Sequence, residues 1–211
     1  MNLQKLRIDQ FEALVDGEKP KPLGFKLNQL LARKDVFPLL LQQTRTSWLR
    51  AEVPFCIIFD SFSDLTDQEF YGAGGIRFFA AYSDVSISDC NEAGISNCGL
   101  LDLENYELAL KRVVTKLRQH YKATVPVVYI HFPSQLESRS QFIERAKLLA
   151  DVTERLEGDL ENFFSIEADP NLVRRADDAR DVFPYHYHPD VARDLMNKLE
   201  LMLGSDQHKL F

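Results

Sequence analysis

The spacing of apolar residues changes once along the chain, near residue 53, and the change divides it into two parts. Before it, apolar positions fall in short clusters: Leu6, Ile8, Phe11 and Leu14, then Leu27, Leu30 and Leu31, then Val36, Leu40, Leu41 and Trp48. The first cluster reads as a short helix or strand closed by the Asp16-Gly17 turn. The other two read as helices, with Asp35 as a candidate cap for the last. Lys19-Pro20-Lys21-Pro22 predicts an extended connector, because a residue that precedes proline is pushed out of the helical region. Residues 1–52 therefore read as a helical N-terminal arm, packed on the main domain and suited to engaging a partner subunit.

From Val53 the pattern alternates between short apolar runs and longer helical stripes. Phe55 to Phe59 is an uninterrupted apolar run, as expected of a strand covered on both faces. Residues 71–99 read as a long irregular stretch holding one apolar strand near Ile76 to Tyr82. A helix follows from Leu103 to Tyr121, its face made by Leu103, Tyr106, Leu110, Val113, Leu117 and Tyr121. Val125 to Phe132 is a second buried strand, stopped by Pro133. Ser138 and Gln141 predict a capping box for a helix with the stripe Phe142, Ala146, Leu149, Thr153 and Leu156, ended by Gly158. Phe163 to Ile166 is a third strand, and a last helix runs from Pro189 to Leu203.

Strands alternating with helices predict an α/β domain over residues 53–211, with a mostly parallel sheet and helices on both faces. In such a sheet ligands bind beyond the carboxyl ends of the strands. Three segments are expected to converge there: Asp60 to Asp64, His131 to Ser134, and the loop from Asp177 to His188.

Length and charge narrow the function. The 211 residues suit one domain plus an arm. With 25 Lys and Arg against 32 Asp and Glu, the net charge of -7 argues against nucleic acid or anionic membrane as a partner. No apolar run approaches the roughly 20 residues of a membrane helix, and the start, Met1 to Arg7, lacks a secretory apolar region. A cytoplasmic location is expected. The three cysteines, Cys56, Cys90 and Cys98, make neither a disulfide framework nor a zinc site. Cys56 reads as a buried apolar residue, Cys90 and Cys98 as exposed thiols. Gly72-Ala73-Gly74-Gly75 lacks the residues of a phosphate or dinucleotide loop and reads as a turn, so no cofactor is implied.

The candidate chemistry lies in the three converging segments. His186 precedes the closing helix, with Asp177, Asp178 and Asp181 upstream, and a carboxylate beside an imidazole fixes its tautomer and stabilises its cation. Such a base can activate a serine hydroxyl, and Ser61 follows the first buried strand. The plainer assignments are a packed His186 among Phe183, Tyr185 and Tyr187, and Asp60, Ser61 and Ser63 capping the turn after the strand. His131 is a second site histidine or a cap on the sheet edge. Arg174 is a candidate clamp for an anionic substrate or one of a surface pair with Arg175. A metal held by His186 and His188 with Asp181 or Asp190 has only two local ligands, and is not the favoured reading.

The run from Val127 to Pro133, the helix after Ser138, Phe163 to Ile166, and Asp181 to His186 before a final helix resemble the C-terminal half of SGNH (GDSL-type) hydrolases. Pro184-Tyr185-His186-Tyr187 is similar to the Phe-His-Tyr-like segment of the divergent bacterial branch tied to surface-polysaccharide biosynthesis. The resemblance spans about residues 53 to 203. It implies a flavodoxin-like three-layer α/β/α sandwich and ester hydrolysis or acyl transfer on an acylated glycan or small ester. His186 would be the base and Asp178 or Asp181 its orienter. The family's Gly-Asp-Ser is approximated by Phe59-Asp60-Ser61, with Phe for Gly, which makes Ser61 the nucleophile. On a second alignment this segment matches a later strand, Asn91 or Asn97 supplies the oxyanion-hole amide, and the nucleophile strand is missing. The protein would then be a degenerate, non-catalytic member that binds or scaffolds, self-associating through its arm.

Overall fold

The computed structural model describes residues 6–18, 26–42, 52–177 and 186–207. The expected connector Lys19-Pro20-Lys21-Pro22 and Trp48 lie outside the described residues. In chain order the first elements are α1 (Ile8–Val15), α2 (Lys26–Leu30), α3 (Phe37–Gln42), β1 (Ile57–Asp60), α4 (Phe62–Thr66), β2 (Asp67–Gly72) and β3 (Ile76–Ala81). After them come α5 (Ile87–Glu92), β4 (Ile95–Gly99), α6 (Leu103–His120), β5 (Val127–His131), α7 (Ser140–Asp159), β6 (Phe163–Glu167) and α8 (Pro189–Gln207). The chain divides into two compact units, Met1–Val53 with Phe62–His120, and Pro54–Ser61 with Tyr121–Phe211.

The first unit is built on an antiparallel sheet in the order β3-β2-β4. The strand expected near Ile76 to Tyr82 is β3, while the rest of residues 71–99, read as irregular, also supplies β4 and the end of β2. The physical reason lies in the connections. Only the turn Ala73–Gly75 joins β2 to β3, and a connection that short permits antiparallel pairing alone. Gly72 is needed at the end of β2, because a Cβ there would stand 2.8 Å from the Ile95 side chain on β4. The sheet's apolar residues Phe70, Phe78, Ala80 and Ile95 pack with Leu27, Leu30, Leu31, Val36 and Leu40 from the N-terminal helices. Cys90 is buried in the same cluster, so the exposed thiol expected there is corrected. Asp35 does not cap α3; it sits inside a short 3-10 turn, paired with Arg33.

Arg7 ties α1 to this unit. Its guanidinium, 1% exposed, binds both oxygens of Asp9 at 2.7 Å and donates to the carbonyls of Asp67 and Gly99. The ring of Phe79 lies beneath it, 4.6 Å away. Asp64, buried at the end of α4's first turn, accepts the Ile8 amide at 2.9 Å. The apolar face of α1 (Ile8, Phe11, Leu14) is buried, and α6 is its main helical neighbour.

The second unit carries the parallel sheet, in the order β1-β5-β6. The protein is thus α/β, with a small parallel sheet and a separate antiparallel one; a single mostly parallel sheet is corrected. β1 is an edge strand with alternating exposure, Ile58 being 46% exposed, so the expectation of a strand covered on both faces does not hold there. β5 is central and buried through Val127, Val128 and Tyr129, as strands between two neighbours are. α7 buries Phe142, Leu149, Val152, Thr153 and Leu156. Its start is not the expected Ser138 and Gln141 box. Glu137 accepts the backbone N–H groups of Ser138 and Arg139, both at 2.9 Å, and pairs with the Arg139 guanidinium.

Candidate functional site

The carboxyl ends of all three parallel strands open onto one cleft of about 130 Å³. β1 brings Ser61, the β5 exit brings His131 through Gln135, and the β6 end brings Glu167 and Ala168. One face of α7 closes it with Ala146, Lys147 and Ala150. This is where a parallel sheet leaves room for a ligand, since the chain turns away from each strand at its carboxyl end.

Strand register explains which side chains meet. Asp60 pairs with Ile130, and the Ser61 amide donates to the Ile130 carbonyl at 3.0 Å, which carries the ladder one residue further. His131 pairs with Glu167. Ser61, His131 and Glu167 therefore form one row across the sheet edge and line the same cleft. The sequence singled out the first two and missed Glu167. The available signal was its place directly after the apolar run Phe163 to Ile166.

Ser61 is 1% exposed, and its Oγ accepts the backbone N–H of Phe132 at 2.9 Å. It clips the β1 end to the β5 exit and does not cap the turn that follows it. His131 is 6% exposed. Its Nε2 lies 2.7 Å from Thr153 Oγ1, whose hydroxyl also contacts the Ala150 carbonyl at 2.9 Å. Burial pulls the His131 pKa down to about 4, so the ring is neutral across the neutral range. Thr153 was foreseen on the buried stripe of α7 but not as a partner of a site histidine.

His186 is exposed, and the residues expected to orient it, Asp178 and Asp181, lie outside the described residues, as do Phe183, Pro184 and Tyr185. The strip around His186 is placed by backbone pairing: the Ala176 amide donates to the His186 carbonyl, and the His188 amide to that of Arg174. Tyr187 then reaches the cleft's rim, donating its hydroxyl to the Pro133 carbonyl at 2.5 Å. Arg174 is not an open clamp. It pairs with Asp190 at 2.9 Å and with Asp177 at 3.8 Å. The His188 ring sits between the same two carboxylates, 2.9 Å from Asp190 and 3.3 Å from Asp177. The Arg174 hydrogen bond, aided by His188 and Arg193, holds the Asp190 carboxyl below its ordinary range.

The two oxyanion candidates belong to the first unit. Asn91 is exposed on α5, and Asn97 on β4 binds Gln68 with its amide and accepts the Gly99 amide at 2.7 Å. Ser61, His131, Arg174 and His186 belong to the second. Among the described residues no group of three or more His, Cys, Asp or Glu side chains is placed to hold a metal, and no helix is long and apolar enough to cross a membrane. No family model, curated protein or solved structure matches this chain.

Proposed function

We propose that the cleft at the carboxyl edge of β1, β5 and β6 is the site of an SGNH-like esterase or acyltransferase, with Ser61 as nucleophile. The observation that carries this reading is the row Ser61, His131 and Glu167, which sets a hydroxyl, an imidazole and a carboxylate at one rim. Those are the group types that acyl transfer through serine requires. The resemblance assigns the base to His186 and its orientation to Asp178 or Asp181. A flavodoxin-like three-layer α/β/α arrangement around the parallel sheet belongs to the same proposal. So do an acylated glycan or small ester as substrate, a cytoplasmic setting and self-association through the N-terminal helices.

A second reading, a non-catalytic member that binds or scaffolds, is favoured by one observation. The Ser61 oxygen is buried and already accepts a backbone amide. A serine-directed fluorophosphonate separates the two. Labelling that maps to Ser61, with hydrolysis of a short-chain aryl ester lost in Ser61→Ala, supports the enzyme; an unlabelled, inactive protein supports the binding module.

A further inference from the structure

We propose that His131, rather than His186, is the base that takes the Ser61 proton, through Nδ1, with Thr153 as the positioning residue that leaves that nitrogen open. The proposal rests on ester chemistry at Ser61 and names the group that drives it.

We assign the ring by hydrogen counting. A threonine hydroxyl has one hydrogen, and the assignment gives that of Thr153 to the Ala150 carbonyl, 2.9 Å away. Toward His131 the same oxygen therefore accepts, and the 2.7 Å contact is a bond from Nε2–H. A neutral imidazole carries only one N–H, so Nδ1 holds a lone pair. Among the described residues no hydrogen bond reaches Nδ1, and none receives the Ser61 hydroxyl hydrogen. One donor lacks an acceptor and one acceptor lacks a donor. They are neighbours in the row, on strands that run about 4.8 Å apart and project paired residues to the same face.

The step balances without any added reactant but the ester and water. The Ser61 Oγ–H proton passes to Nδ1 as Oγ bonds to the acyl carbon. The carbon–oxygen bond to the leaving alcohol then breaks, and that alcohol's oxygen takes the proton from Nδ1. Water repeats the sequence on the acyl-serine, releasing the acid and restoring Ser61. The imidazolium forms in the cleft that Glu167, the register partner of His131 on β6, also lines. The charged groups facing the cleft are Glu167 from β6 and Lys147 from α7, while β1 adds only the Ser61 hydroxyl.

The test uses the full chain and a short-chain aryl ester. His131→Asn is expected to lower kcat/KM at least about 100-fold, the ordinary contribution of a general base. Thr153→Val lowers it too, and Thr153→Ser restores it. The acid limb of the wild-type profile falls near pH 4, where burial places His131, and not near the roughly 6.5 of an ordinary histidine. Ser61 labelling with full activity in His131→Asn, or an acid limb near 6.5 lost in His186→Asn, overturns the assignment and leaves Ser61 chemistry standing. A wild-type chain with no labelling and no hydrolysis overturns both. Should His131→Asn not fold, proton–nitrogen correlation spectra of the wild type decide: protonated Nε2 with bare Nδ1 is required, and the opposite tautomer sinks the proposal.

Discussion

The hydroxyl oxygen of Ser61 accepts the backbone N–H of Phe132 at 2.9 Å, joining residues 71 positions apart. The bond holds together the ends of two parallel strands just where the cleft begins, so Ser61 has a structural duty whatever its chemistry. Ser61→Ala leaves the Phe132 amide, part-buried, without that acceptor. A loss of about 1 kcal/mol is expected from a part-buried donor that loses this acceptor. Urea denaturation of the variant measures it, and an unchanged midpoint would show that the amide finds another partner. Loss of ester hydrolysis in this variant counts as catalytic only below its unfolding transition.

His131 gives stability a particular pH dependence. Its pKa is about 4 in the folded chain and about 6.5 when unfolded, so between those values the unfolded state binds the proton and the folded state does not. Stability from this group is complete above about pH 6.5 and falls as pH drops towards 4, where the loss levels off. The full swing is roughly 3 kcal/mol. Denaturation midpoints followed from pH 7.5 to 4 are expected to decline more in the wild type than in a folded His131→Gln. Parallel declines would place the pH sensitivity in other groups.

Much of the second unit was legible because its signals are local. β5 and β6 are apolar runs closed by Pro133 and by the polar Glu167, and α7 and α8 are amphipathic over 20 and 19 residues. Of the antiparallel sheet only β3 was legible, as the apolar strand expected near Ile76 to Tyr82. β2 reads Asp-Gln-Glu-Phe-Tyr-Gly and β4 reads Ile-Ser-Asn-Cys-Gly, and both lack the alternation that marks a strand on its own. They are strands because β3 and the Gly72 close approach pair them. In the site, Ser61 and His131 stood out as polar residues at apolar strand ends. Glu167 and Thr153 did not, because their meaning comes from register and from a helix packed across the sheet.

Arg7 is expected to be indispensable for the first unit. It is a charge buried to 1% exposure, and it neutralises Asp9 while satisfying the carbonyls of Asp67 and Gly99. Arg7→Ala removes the cation and leaves Asp9, whose side chain is 15% exposed, with the more distant Arg77 at 3.9 Å as its one cation among the described residues. Breaking a buried pair from one side costs about 3–5 kcal/mol. Arg7→Lys restores the charge but not the two-pronged geometry, so an intermediate melting temperature is expected. Equal stability of Arg7→Ala and wild type would mean that α1 is held by its apolar face and the Ile8–Asp64 bond without the guanidinium.

The cysteines offer a check on burial that needs no mutation of the core. Cys98 is exposed on β4, Cys56 is intermediate, and Cys90, on the buried face of α5, is 1% exposed. Burial raises the thiol pKa of both Cys56 and Cys90, which lowers their thiolate fraction and adds to the steric block. With an aromatic disulfide reagent at pH 8, one thiol is expected to react promptly, and Cys98→Ser abolishes that phase. Cys56 follows more slowly. Cys90 waits for unfolding, so its rate should rise with denaturant along the same curve as the loss of structure. Prompt reaction of Cys90 in the native chain would mean that the packing of Leu27, Phe70, Phe78 and Ile95 around it opens far more readily than a closed apolar cluster permits.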